Sequence, residues 1–268
     1  MDKSKFSRNN VHDTNMKVVI VRLDFAGVND VNELIKAFEK KGKIFKMKTV
    51  MENRGINVSF READFESISE SLSIPVESIK HERFIRYEGL DNCRCDVTFD
   101  ISQFYLCLTI KCKNNYDGLT NYVAPFKGAI KLFLEKIQYF EPKRLGIRKV
   151  RVETKANIRG VSEIFEPFVF SLPLYGIPSP LIRKSENFDV MEESSSALHF
   201  NIHRAIEYVT DKDNNEKYST ILDIDAYYHE DALHKGKIND MITYANLREF
   251  EIYKECMTES YLNSICRN

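Results

Sequence analysis

Between Leu198 and His229 the chain alternates apolar and polar residues in two runs, and that pattern admits little except a long β-hairpin. In the run Leu198–Val209, Leu198, Phe200, Ile202, Ile206 and Tyr208 share one phase, while His199, Asn201, His203 and Glu207 share the other. In the run Tyr218–His229, Tyr218, Thr220, Leu222, Ile224 and Ala226 stand against Asp223, Asp225, Tyr227 and His229. Period two gives one buried face and one wet or functional face. The polar stretch Asp211–Lys217 reads as an exposed turn. Both polar sets use odd-numbered positions, and residues opposite each other in an antiparallel pair point to the same side. Partner numbers must therefore sum to an even value, and the turn allows 426 or 428. At 426, His203 faces Asp223 and Asn201 faces Asp225. At 428, His203 faces Asp225 and His199 faces His229.

The rest of the chain supplies more strands and three amphipathic helices. Lys17–Phe25 reads as a central strand because its start is almost continuously apolar. Asp30 is a natural N-cap for a helix carrying Val31, Leu34, Ile35 and Phe38, ended by Lys41–Gly42. Ile44–Val50 and Glu82–Tyr87 read as strands, with an irregular excursion between them. Asp96–Ile101 and Phe104–Cys112 make a second hairpin around Ser102–Gln103. A long helix follows, capped by Asn115 or Asp117, with Tyr122, Val123, Phe126, Ile130, Phe133, Leu134 and Ile137 at the helical period and Pro142 beyond its end. Lys143–Thr154 returns as a strand. Its apolar residues change phase between Ile147 and Val150, which predicts a bulge near Arg148–Lys149. Ile164–Phe170 predicts a short helix or turn, and the prolines of Leu172–Leu181 an irregular connection. After Gly236, Ile238, Ile242, Ala245, Ile252 and Tyr253 mark the buried stripe of the last helix. The expected class is α+β, a mainly antiparallel sheet with helices packed on one face. The order of elements repeats about a breakpoint near Phe140, which predicts two similar β-hairpin–helix halves, 16–140 and 141–268, after a loosely packed tail at 1–15.

Composition narrows the function classes. With 39 basic and 40 acidic residues the net charge is -1, so a bulk electrostatic hold on nucleic acid is not indicated. No apolar run approaches the length of a transmembrane helix, and the polar N-terminus lacks the apolar core of a signal peptide, which predicts a cytoplasmic protein without a membrane partner. The six cysteines are then expected to be free thiols, and Cys93 and Cys95 lack the paired spacing of a structural zinc site. Phosphate-loop, HExxH and GxSxG signatures are absent, and no cofactor is implied.

Two constellations carry chemistry. Arg144, Arg148, Lys149 and Arg151 form a basic strand, and the forks of Arg144, Arg148 and Arg151 suit a small anionic ligand or a nucleic-acid contact. Asp223 and Asp225 alternate on one strand face with His199, His203 and His229 close by, a set able to hold a divalent ion in a hydrolase or nuclease. The simpler readings are solvated residues and cross-strand ion pairs. Arg22 and Asp24, two apart on the first strand, are expected to form a buried pair.

Two segments carry a family resemblance: Phe126–Val152, a helix running into the Arg-Leu-Gly-Ile-Arg strand, and Ile221–Thr258, an Asp-Ile-Asp strand followed by a helix with a late Thr. Together they resemble an uncharacterised, sporadically distributed prokaryotic family of about this length. Its members show Arg-Leu-Gly-Leu-Arg-Tyr after the central helix, where this chain has Lys149–Val150 after Arg148, and a leucine-histidine pair opening the last helix, matched by Leu233–His234. The resemblance implies an accessory protein of mobile or defence gene clusters and supplies no activity. The expected function is therefore a non-catalytic binding or regulatory protein for another protein or a small anion, with the metal-dependent hydrolase as the alternative.

Overall fold

The apolar strand expected near the N-terminus forms as β1 (Met16–Phe25) and lies inside the sheet, with β5 on one side and β6 on the other. The computed structural model describes residues 3–8, 10–11, 15–28, 31–40, 44–56, 79–113, 116–137, 139–170, 183–191, 197–210 and 216–266. After β1 come α1 (Val31–Glu39), β2 (Phe45–Ile56), β3 (Ile79–Leu90), β4 (Asp96–Ser102), β5 (Tyr105–Lys111) and α2 (Ala124–Lys136). Then follow β6 (Pro142–Lys155), α3 (Ile158–Ile164), β7 (Arg183–Met191), β8 (His199–Thr210), β9 (Glu216–His229), α4 (Ile238–Cys256) and α5 (Glu259–Ser264). Among the described residues nine strands make one antiparallel sheet in the order β2-β3-β4-β5-β1-β6-β9-β8-β7. The sheet runs without a break through the junction of β1 and β6, so both segments of the chain share it.

One face of this sheet is the core. Val21, Leu108, Ile147 and Ala226 are direct cross-strand partners, and all four are buried. The helices cover that face. α2 drops Phe126 onto Phe99 of β4 and Phe133 onto Phe25 of β1, with ring centroids 6.2 Å and 5.2 Å apart. α1 rests on α2, and α3 and α4 lie over β6 and β9. Aromatic edges against rings contribute beyond the area they bury. The opposite face has no helix over it among the described residues, and its side chains are mostly polar.

Several expectations need correction. β6 has no bulge at Arg148–Lys149, because its pairing with β1 and with β9 is regular from Arg144 to Val150. The apparent change of phase arises because Lys149 and Arg151 point into the core, on the face of Leu145 and Ile147. α2 begins later than expected: a 3-10 turn at Leu119–Asn121 precedes it, and Pro125 sits in its first turn, where a missing N–H costs nothing. Leu132 rather than Leu134 completes its buried stripe. Phe104 belongs to the turn of the β4–β5 hairpin and is half exposed, its ring edge lying over Gly27. β7 was missed altogether, since a polar edge strand such as RKSENFDVM has no alternation to betray it.

The segment expected to be a loose tail is packed where it is described. Phe6 and Val11 are buried, Val11 bridges Cys266, and the Lys3 ammonium donates to the Met257 carbonyl at 2.6 Å and pairs with Glu166 at 2.9 Å. Two anchoring residues spaced without a helical or strand period leave no pattern to read. The irregular stretches expected between Glu52 and Lys80 and at Leu172–Leu181, and the centre of the 211–217 turn, lie largely outside the described residues. No helix among the described residues is long and apolar enough to cross a membrane.

Candidate functional site

The pairing registers line up residues across the uncovered face. One row runs Arg86, Asp100, Cys107, Arg22, Gly146 and Tyr227, each opposite the next on the neighbouring strand. The adjacent row carries Asp24, Arg144 and His229, and the one beyond Gly146 carries Ile20, Arg148, Asp225 and Asn201. Arg144 therefore comes from the same strand as Arg148 but lies on the other side of Gly146.

Arginine–aspartate pairs hold this surface in place. Arg86 grips Asp100 with two bonds of 2.8 Å, the fork matching the carboxylate. Arg22 donates from Nε to Asp24 at 2.7 Å, and its guanidinium lies 4.2 Å above the Tyr105 ring. The Arg22–Asp24 pair is expected to be buried, but its side chains are 43% and 25% exposed, since no described element lies over the face it occupies. Arg144 reaches diagonally to Asp225 at 2.5 Å with its guanidinium 4.6 Å from the Tyr227 ring centre. Arg148 holds Asp223 through Nε at 3.0 Å and Nη2 at 2.6 Å. Burial holds the Asp225 carboxyl above the usual range, against the pull of Arg144. Burial also raises the Cys107 thiol, opposed by its contact with Thr109 and by Arg22.

Between these pairs the face sinks into a depression of about 450 Å³, lined by Arg22, Arg144, Arg148, Asp24, Asp225, Cys107, Ile20 and Gly146. Gly146 keeps its floor low. A Cβ there would come within 3.0 Å of Arg144 Nη1 and 3.2 Å of Asp225 Oδ1, so a larger residue would displace the pair that crosses it. The depression thus has three guanidiniums and two carboxylates on its walls. Each guanidinium carries five N–H donors, and the carboxylate bonds named above use only part of each fork.

Of the residues singled out in the sequence, Arg144 and Arg148 meet here, joined by Arg22 of β1. Arg151 does not: it lies on the buried face, 1% exposed, donating to Glu249 of α4 at 2.6 Å with its guanidinium 4.1 Å from the Tyr253 ring. Lys149 joins the same Glu249 carboxylate from two positions away, and both of those side chains are 0% exposed. The β8–β9 register is the one whose partners sum to 426, since His203 faces Asp223 and Asn201 faces Asp225. Asp223 is taken by Arg148, while the His203 ring nitrogen meets the Ser185 hydroxyl at 2.8 Å. His199 and His229 instead gather with Tyr227, their rings 4.9 Å apart and edge-on. Among the described residues no three His, Cys, Asp or Glu side chains converge as a metal centre would require.

Sequence reasoning missed Gly146, Tyr105 and the Arg86–Asp100 pair as parts of one surface. The Arg-x-Asp of β1 and the Arg-Leu-Gly-Ile-Arg of β6 were visible signals, but only the strand order sets them side by side.

Fold and site define a class: an antiparallel sheet with one helical layer and an open face studded with arginine–aspartate pairs. A scan against family models finds no match for this chain, and a search of curated proteins finds none either.

Proposed function

We propose that the chain is a non-catalytic binding or regulatory protein whose open sheet face takes a small anionic ligand, in keeping with its resemblance to a family of accessory proteins. The observation that carries this reading is the depression over Gly146, with Arg22, Arg144 and Arg148 on its walls. Its volume falls in the range of small-molecule sites. Guanidiniums already oriented by carboxylates and stacked on Tyr105 and Tyr227 lose little side-chain entropy when an anion arrives. An open sheet face is also the place where ligand groups are reached without moving the core. The order strand, helix, antiparallel strands, helix on each side of the β1–β6 junction supports the reading of two similar halves, which puts this site at their seam.

Titration calorimetry with inorganic pyrophosphate tests the reading. Wild-type protein should bind it, with affinity that falls as salt rises. Arg22→Ala should weaken binding at least tenfold, about 1.4 kcal/mol. Saturable binding that ignores both salt and Arg22 would place the anion elsewhere, and no binding of pyrophosphate would remove the reading.

A further inference from the structure

We propose that the anion this depression takes is the phosphate of a nucleotide, whose base stacks on the near-parallel rings of His199 and Tyr227 beside it, with His229 edge-on at the rim. The proposal rests on the anion-binding reading and adds the part of the ligand that lies outside the depression. Tyr227 directly follows Gly146 in the cross-strand row, and His199 follows Tyr227. Neighbouring strands are about 4.8 Å apart, so the rings begin one strand spacing from the floor of the depression. His199 stacks on Tyr227 with centroids 5.4 Å apart and planes within 22°, and His229 stands edge-on to Tyr227 at 5.1 Å. His229 is exposed and His199 and Tyr227 are half exposed, so ring surface remains open to a ligand. The Tyr227 hydroxyl donates to Asp189 of β7 at 3.4 Å, which holds the ring from the far side.

Arg144 links the two parts. Its Nη2 bonds Asp225 inside the depression while its guanidinium plane lies against Tyr227. A phosphate among Arg22, Arg144 and Arg148 would therefore leave its sugar crossing Gly146 and its base over the His–Tyr rings. Aromatic rings accept any base face, and arginine forks accept phosphate oxygens, so the two chemistries together select a nucleoside phosphate over a plain carboxylate. A net charge of -1 supplies no bulk pull on a polyanion, and Arg86 further along the row is already gripped by Asp100, which favours a free mononucleotide over a nucleic acid strand.

The test compares dissociation constants on the intact chain for AMP, GMP, ribose 5-phosphate, inorganic phosphate and a short oligoadenylate. AMP or GMP should bind at least tenfold tighter than ribose 5-phosphate or phosphate, and that ratio should fall toward one in His229→Ala and in Tyr227→Leu. A wild-type ratio near one with phosphate still bound overturns the nucleotide assignment and leaves the anion site standing. A ratio that survives both substitutions puts the base elsewhere and also overturns it. Oligoadenylate binding tighter than AMP overturns the free-nucleotide source. Failure of every probe to bind removes the anion site together with the proposal.

Discussion

Lys149, Arg151 and Glu249 meet where a sequence pattern would place only apolar side chains. Lys149 and Arg151 occupy the core phase of β6 after Leu145 and Ile147, and Glu249 follows Ile242 and Ala245 on the buried stripe of α4. Burial works against the Glu249 charge, but Arg151 and Lys149 together outweigh it and hold the carboxyl down to about 2. Burial pushes the Lys149 ammonium the other way, down to about 7, against the pull of Glu249. With two cations on one carboxylate, Lys149 is the member whose charge is least supported. Lys149→Met should therefore leave stability in urea melts within about 1 kcal/mol of wild type at pH 6, or raise it, whereas Glu249→Gln should lose about 3–5 kcal/mol by stranding two buried cations. A lysine whose folded value is depressed carries its penalty in full below that value and sheds it as pH rises toward the unfolded one. Any advantage of Lys149→Met should thus be greatest below about pH 7 and fade toward 10.5. An advantage that grows with pH would contradict this account of the triad. The positions were legible as breaks in two periods, but a break alone does not distinguish a bulge from a buried charge whose partner lies about a hundred residues away.

At the scale of elements, the strands with clean alternation were legible and the edges were not. The β8–β9 hairpin forms with the parity its polar phase requires, because a one-residue slip would turn Phe200, Leu222 and Ile224 out of the core. Alternation admits both even sums equally, so the sequence leaves open which carboxylate faces His203. β7 at the edge and the start of α2 escaped because edge strands need no apolar face and because α2 starts at Ala124 with Pro125 in its first turn and no Asn or Asp side-chain cap. α2 itself is held by aromatic packing: Phe133 is 1% exposed and sits between Phe25 and Phe140. Phe133→Ala should cost about 3–5 kcal/mol in denaturant melts. A loss under about 1 kcal/mol would mean that this helix is peripheral to the core.

At the scale of the molecule, one sheet with a single helical layer among the described residues accounts for both the buried core and the exposed chemistry. The helical side collects the aromatic and aliphatic side chains, and the other side is left to charges that must pair with one another to stay ordered. Individual arginines of that face were legible in the sequence. The site was not, since Arg22 comes from a strand more than a hundred residues before Arg144 and the two become neighbours only through the β1–β6 pairing. The central claim, that the depression over Gly146 is an anion site, is tested most directly by filling it without changing any charge. Gly146 lies within a regular strand, where valine is well tolerated, and a Cβ would meet only the ends of the Arg144 and Asp225 side chains. Gly146→Val should keep its circular dichroism and its cooperative melt while its dissociation constant for pyrophosphate rises at least tenfold. A folded Gly146→Val protein that binds pyrophosphate as tightly as wild type would contradict the account.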